Sequence, residues 1–222
     1  MISVNKREIK KIRILRVFIE AAYQIIEDEG IAAVTIRKVA RIAGYNSATI
    51  YNYFKNRNQL ISFAAVKFIS EYVRAVPAYM DQSTDTLERF FLMWECFCLY
   101  SFKNPQIYYA IFSEDIGKKP ENLFKVYYTI FAEELGKPSA ELKGILLESD
   151  LAKRASRAIQ PCVEAGYFTV GQADKINQMI MLIYHGMLSL IINNRIDRPV
   201  EKSVEQIMDY IRTTTVNAVN SD

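Results

Sequence analysis

Apolar residues along this chain recur at three- and four-residue steps rather than in alternation, the spacing of packed helices. Ile12, Leu15, Phe18, Ile19, Ala22, Ile25 and Ile26 form one such stripe. It predicts a first helix from Lys6 to Glu29, with Gly30 at its C-terminal cap. Thr35 is a good N-cap for a shorter second helix, in which Ile36, Val39, Ala40 and Ala43 share a face and Gly44 ends the run. Asn46 caps a third helix through Phe54. Asn56, with Gln59 three residues on as in a capping box, opens a fourth that continues to about residue 80. Two short helices joined by a tight glycine-containing turn and braced by a longer one make a helix-turn-helix.

Beyond Phe68 the pattern turns aromatic. Asp85 and Glu88 have capping-box spacing and lead into a helix that is apolar around most of its circumference. Pro105 and Pro120 stand where prolines open helices, and Ser139 and Ser149 or Asp150 suit the next starts. Pro161 predicts a kink or break near Gln160. Thr169 and Gln172 open a helix to about Asn194, and a last helix begins near Pro199 and frays before Asp222. The fold class expected is all-α. A helix-turn-helix unit occupies 6–60, the fourth helix runs on from it, and a larger helical domain fills 61–222.

Charge changes the picture more than composition does. Of 222 residues, 50% are hydrophobic and 24% charged, which is ordinary for a globular protein. The net charge of +3 divides unevenly, however: 11 basic against 5 acidic residues through Leu60, then 17 against 20. A basic head on a mildly acidic body predicts a polyanionic partner for the head. The first helix carries Glu20 and Gln24 inside its apolar run, so it is no signal sequence. The most apolar stretch, Met179 to Ile192, is shorter than a bilayer requires, so no membrane partner is expected. Cys96, Cys98 and Cys162 lack metal-ligand spacing and have a single histidine for company. They read as free buried thiols in a reducing cytoplasm. With no P-loop, dinucleotide fingerprint or nucleophile elbow in the sequence, neither a cofactor nor catalysis is expected.

In a helix-turn-helix the second helix lays its first residues on base edges in the major groove, while flanking groups grip phosphates. Here that helix presents Asn46, Ser47, Ala48 and Thr49, then Tyr51, Asn52 and Tyr53. Short polar side chains donate and accept at base edges, and the methyls of Ala48 and Thr49 suit a thymine methyl. The hydroxyls of Tyr51 and Tyr53 suit phosphate oxygens. Thr35 stands at a helix N-terminus, which favours an anion. Arg37, Lys38, Lys55 and Arg57 add cations, and Tyr45 follows the turn glycine. Aromatic core is the competing reading of Tyr51 to Phe54; it holds for Phe54 and partly for Tyr53. The basic extension Lys6, Arg7, Lys10 and Lys11 either reaches flanking phosphates or solvates a helix.

As a set, FIEAAYQIIEDEG, TIRKVARIAG, ATIYNYF and KNRNQL resemble the DNA-binding domain of the tetracycline-repressor (TetR) family, over Phe18 to Leu60. Tyr45 and Asn46 depart from that family's usual Val and Ser, Arg57 from its Lys, and Asn58 from its Glu. The resemblance implies a ligand-released repressor that binds a (pseudo)palindromic double-stranded operator as a homodimer, in the cytoplasm with the nucleoid. An activator, or an architectural DNA-binding protein without small-molecule control, is the alternative. It also implies an all-helical effector-binding and dimerisation domain. Trp94, Phe97, Tyr108, Tyr109, Phe112, Tyr127, Tyr128, Phe131 and His185 are its candidate pocket, between helices starting near Asp85, Pro120 and Thr169. Such a pocket suits an apolar or amphipathic small molecule.

The segment before Asn194 is apolar nearly all round, and such a helix must be buried on more than one face. Ile176, Ile180, Ile183 and Met187 on it, with Val204, Ile207, Met208 and Ile211 on the last helix, are the candidate dimer interface. Two copies would then form a four-helix bundle, with Gly186 permitting close approach.

Overall fold

A computed structural model describes residues 6–112 and 122–219. Among these residues the chain is helical and has no strand. The N-terminal unit is α1 (Lys6–Glu29), a 3₁₀ turn (Ile31–Ala33), α2 (Ile36–Ala43) and α3 (Ser47–Ile50). The long α4 (Arg57–Met80) and α5 (Thr86–Lys103) follow, then α6 (Pro105–Phe112), α7 (Leu123–Ile130), α8 (Ala132–Leu135) and α9 (Ala140–Leu146). The last three are α10 (Leu151–Glu164), α11 (Val170–Ile192) and α12 (Val200–Val219).

The capping residues explain most of these boundaries. Thr35, Asn46, Asn56, Asp85, Ser139 and Asp150 each accept a bond from a backbone N–H in the first turn they open. Thr169 and Gln172 form a reciprocal capping box on α11. Gly44 ends α2 at φ +73°, a left-handed conformation that costs glycine little. At α4 the box is displaced: Asn56 caps the Gln59 N–H, while the Gln59 side chain accepts from Lys55 N at 2.6 Å, one residue before the cap. Glu88 likewise turns away from its own helix and pairs with Arg212 of α12 at 2.6 Å.

Two expectations about prolines come out differently. Pro105 opens α6, but Pro161 causes no break; it lies in the last turn of α10, where the helix has only three residues left. Proline offers no N–H to the carbonyl four residues earlier and crowds it, yet α10 runs on unbroken through that turn. Pro77 sits the same way near the end of α4. Pro120 lies outside the described residues.

Helices α4 and α5 form the spine. The N-terminal half of α4 packs on α1, and α5 packs on α4, α10 and α12. Phe90, Phe91, Met93, Trp94, Cys96, Phe97 and Cys98 of α5 are all buried, so this helix lies inside the body. The expectation that the apolar stretch before Asn194 is too short for a membrane needs correction. Helix α11 is 23 residues long, and it is long and apolar enough to span a bilayer by length and composition. Its apolarity serves packing instead: Ile176, Ile180, Tyr184, Met187 and Leu188 are buried against neighbouring helices of the same chain.

Candidate nucleic-acid interface and interior cavity

The helix-turn-helix is assembled on one ring. Phe18 of α1 is fully buried, with ring centroids 5.1 Å from Tyr45, 5.8 Å from Tyr53 and 6.4 Å from Phe54. These edge-on contacts fix α3 and its flanking turns against α1. Ile50 and Phe54 are buried beneath, and the Asn46 side-chain Oδ1 accepts from both the amide and the hydroxyl of Thr49, each at 2.9 Å. Ala48, Tyr51, Asn52 and Lys55 are left exposed, with Ser47 and Thr49 half-buried beside them. Tyr51 is 59% exposed, an unusual place for an aromatic ring unless a partner meets it. Arg37 is also exposed, and Thr35 keeps its capping bond to Lys38 N at 3.2 Å.

Four of the predicted residues carry other duties. Arg57 donates to the carbonyl oxygens of Ile31, Ala32 and Val34, so it pins the loop that leads into α2 and leaves the set of free cations. Lys38 is paired with Glu29 at 2.6 Å, which offsets its charge. Tyr45 and Tyr53 lend a ring face to Phe18 and retain only part of their surface for a partner. The basic extension is helical and continues α1, with Lys6, Lys10 and Lys11 exposed on its first turns.

The aromatic residues behind this unit form a second cluster, centred on Phe97. Its ring is 5.5 Å from Tyr72, 5.7 Å from Trp94, 5.5 Å from Tyr108 and 5.2 Å from Tyr184. Beside it lies a small cavity, about 20 Å³, walled by α4, α5, α9 and α10. Trp94 and Phe97, two of the candidate pocket residues, line it. The helix starting at Thr169 gives it no lining residue, and among the described residues Ile145, Leu151 and Arg154 close the cavity. Tyr109 is exposed, and His185 lines an open groove on the other side of α11 with Asp174 and Gln178. Burial lowers the His185 pKa. Tyr127 and Phe131 do not line the cavity: they stack on each other, with Tyr127 bonded to Glu134 and Phe131 beneath Arg16 of α1. Tyr108, Tyr128 and Phe112 are not among its lining residues but lie near Arg154, which stands over the Phe112 ring at 5.2 Å and whose charge couples to both phenols.

Arg154 and Tyr72 were the residues that hydrophobic patterning missed. Arg154 is only 3% exposed, and an arginine inside a predicted amphipathic helix reads as solvent-facing. The thiols are sequestered: burial pushes Cys96 up to about 12 and Cys162 up to about 11, and raises Cys98 further. Thiolate chemistry is suppressed in such surroundings.

A charged seam joins the two clusters. Tyr127 donates to Glu134 at 2.6 Å, Ser70 donates to the same carboxylate at 2.7 Å, and Lys67 bridges Glu134 at 2.7 Å to Glu20 of α1 at 2.9 Å. Arg16 of α1 donates to the Ile130 carbonyl at 2.8 Å, pairs with Glu133 at 2.7 Å, and lies 4.7 Å over the Phe131 ring. Helix α7 thus meets the cavity's arginine through Phe124 and Tyr128, meets α1 through Ile130, and reaches Glu134 of α8 through Tyr127.

The predicted dimer residues need correction too. Ile176, Ile180, Met187, Val204, Ile207, Met208 and Ile211 are buried inside the protomer, and Ile183 is half-buried. They face their own core because α11 and α12 pack on each other and on α5. The outward stripe of α11 is Met179, Leu182, Gly186 and Leu190, with Leu182 69% exposed. Tyr210 and Val216 are the exposed apolar residues of α12. Among the described residues outside its own turn of helix, nothing approaches the position of a Gly186 Cβ within 4 Å.

Comparison with known proteins agrees with this geometry. The model for bacterial regulatory proteins of the tetR family matches residues 18–62. The HTH-type nicotine-responsive transcriptional repressor HdnoR of Paenarthrobacter nicotinovorans is 30% identical over 67 residues, 30% of this chain and 34% of that protein. The chain therefore spans about a third of that curated relative's length. A solved TetR-family regulator from Syntrophomonas wolfei superposes with a TM-score of 0.58 at 16% identity, over 92% of this chain and 95% of that one. Thermus thermophilus FadR, solved in complex with lauroyl-CoA, gives 0.55 at 12% identity, over 89% and 92%. At these identities the structural likeness concerns the fold.

Proposed function

The chain belongs to the tetR family of bacterial regulatory proteins, and from that premise we propose that it is a ligand-released transcriptional repressor acting as a homodimer. The observation that carries the reading is the outward face of α3 and its flanks. Ala48, Tyr51, Asn52 and Lys55 are exposed while Ile50, Phe54 and Phe18 anchor them from below. A rigidly backed strip of small, polar and cationic side chains fits base edges and phosphates. On this reading 6–60 is the DNA-binding domain and 61–222 the effector and dimerisation domain.

A second copy supplies the second half-site, about 34–36 Å away along the duplex. The outward stripe of α11 suits that role, because Gly186 serves no packing need inside the protomer and permits close approach of a partner helix. The Phe97 cavity is the effector site. Ligand there displaces α7, and the Arg16 and Glu134 bonds carry the displacement to α1, where it changes the separation of the two recognition helices. Couplings of this kind are typically about 1–3 kcal/mol. The relatives respond to unlike ligands, nicotine for HdnoR and lauroyl-CoA bound in FadR, so ligand chemistry must be read from this chain's own cavity.

The test is binding to DNA from upstream of the chain's own gene against random duplex, at several salt concentrations. A regulator retains its preference as salt rises, because base readout is less salt-dependent than phosphate contact. Equal loss of both duplexes would make the chain an architectural DNA-binding protein. Leu182→Asp should give a folded monomer with weak operator binding, measured by light scattering and anisotropy.

A further inference from the structure

The wall of the effector cavity contains a buried charge that no carboxylate among the described residues pairs with. It belongs to Arg154, which is 3% exposed. Its Nε and Nη2 donate to the carbonyl oxygens of Glu148 and Leu146, at 3.1 and 2.8 Å. The nearby Glu148 carboxylate is engaged by Arg157. Among the described residues the Arg154 Nη1 has no partner. The hydroxyls of Tyr108 and Tyr128 are also buried and find no partner among them, and both phenols lie within the field of Arg154. Phe124 covers one side of the guanidinium at 4.7 Å.

Unpaired donors at such depth cost free energy, and a buried unpaired cation costs more. Arg154 lines the cavity and the two phenols stand in its field behind that wall, and three such neighbouring orphan groups are complementary to a single anionic ligand group. We propose that Arg154 anchors the effector, and that the effector is a small amphipathic monocarboxylic acid with its apolar part against Trp94 and Phe97. This rests on the reading of the cavity as the effector site. The carboxylate accepts from Nη1 through one oxygen, since the other guanidinium donors are engaged, and takes its further bonds from the Tyr108 and Tyr128 hydroxyls. A neutral ligand leaves the guanidinium unanswered. A dianion brings a second charge for which the cavity, otherwise walled by apolar side chains, has no partner.

The experiment titrates phenylacetate, hexanoate and octanoate, and the three corresponding amides, against the full chain. It follows the fluorescence of Trp94, the only tryptophan, and the thermal midpoint. At least one acid should bind roughly tenfold or more tightly than its amide, the scale of one charged hydrogen bond. Arg154→Met should abolish that preference. Tyr128→Phe should weaken the acid several-fold while leaving the amide and the thermal midpoint unchanged, because its hydroxyl has no partner in the protein to lose. Acids that bind no better than amides, or not at all, overturn the proposal, as does an acid preference that survives in Arg154→Met. If Arg154→Met does not fold, the double variant Tyr108→Phe with Tyr128→Phe decides, and undiminished acid preference in it is equally fatal. Binding to upstream DNA, measured alongside, separates the two readings. Release by neutral apolar compounds but not by acids leaves the repressor and removes the acid. Acid capture through Arg154 by a chain that ignores its upstream DNA leaves the anchor and removes the repressor.

Discussion

Phe18 and Phe97 each sit at the centre of an aromatic cluster, and the two clusters serve opposite ends. The neighbours of Phe18 come from one short stretch, Tyr45 to Phe54, and fill the space around it. The neighbours of Phe97 come from α4, α5, α6 and α11, and beside it they leave a cavity with a buried arginine in its wall. A solid cluster built locally holds a surface still. One assembled from distant segments around a void has an interior that a ligand can enter and deform.

The largest expected effects test that contrast directly. Phe18→Ala should cost about 3–5 kcal/mol, the range for emptying a well-packed phenylalanine site, and should abolish DNA binding. Phe97→Ala should fall at the low end of that range or below, because a cavity already borders the ring, and should admit bulkier ligands. Urea unfolding followed by circular dichroism measures both. Equal costs would mean that the second cluster is as tightly packed as the first.

The same contrast explains what the sequence made legible. Caps, turn glycines and short apolar stripes are local, so α1, α2, the start of α4 and the Phe18 plug followed from residue spacing. Which face of a helix turns inward is decided by the other helices. For α11, apolar on most sides, spacing alone had no means of choosing, and Ile180 was placed outward where Leu182 belongs. Arg154 was invisible for a related reason: its burial depends on carbonyls at the end of α9 and rings from α6 and α7. Arg57 misled in the opposite direction, because a cation near a recognition helix reads as a phosphate contact until its three carbonyl partners are seen.

Helix α11 offers the next test. Ile180→Ala should cost about 2–5 kcal/mol as a buried large-to-small change. Leu182→Ala should change the stability of the isolated protomer by no more than about 0.5 kcal/mol, as exposed substitutions do. A large stability loss in Leu182→Ala at concentrations too low for self-association would place that face in the core after all.

The seam between the clusters should respond by an intermediate amount and with a defined pH dependence. Burial alone would raise the Glu134 pKa, but hydrogen bonds from Lys67, Tyr127 and Ser70 outweigh it and hold the carboxyl below its usual range. A carboxyl whose folded pKa is depressed adds stability above its unfolded value, near pH 4.3, and loses it as pH falls through the folded value. Glu134→Gln should therefore cost about 1.5–3 kcal/mol at neutral pH, flatten the acid limb of the stability profile below about pH 4, and weaken the effector's hold on DNA affinity. An unchanged acid limb would mean that Glu134 is not part of the coupling.

The smallest effects belong to the DNA face, and they distinguish exposed cations from engaged ones. Tyr51→Phe, which removes only an exposed hydroxyl, should weaken operator binding by about 1–1.5 kcal/mol. Arg37→Ala should flatten the salt dependence by roughly one unit of slope, the loss of one phosphate contact. Lys38 differs because Glu29 holds its ammonium at 2.6 Å. The carboxylate competes with any phosphate for that charge, so Lys38→Ala should change the slope less than Arg37→Ala does. Glu29→Gln then gives the sharper reading. It removes the competitor and leaves the lysine, so operator binding should tighten and its salt dependence should steepen, by up to about one unit. Anisotropy titrations of the three variants across a salt series measure this. If Glu29→Gln bound with the wild-type slope, Lys38 would face away from the duplex, and the cationic part of the interface would reduce to Arg37 and Lys55.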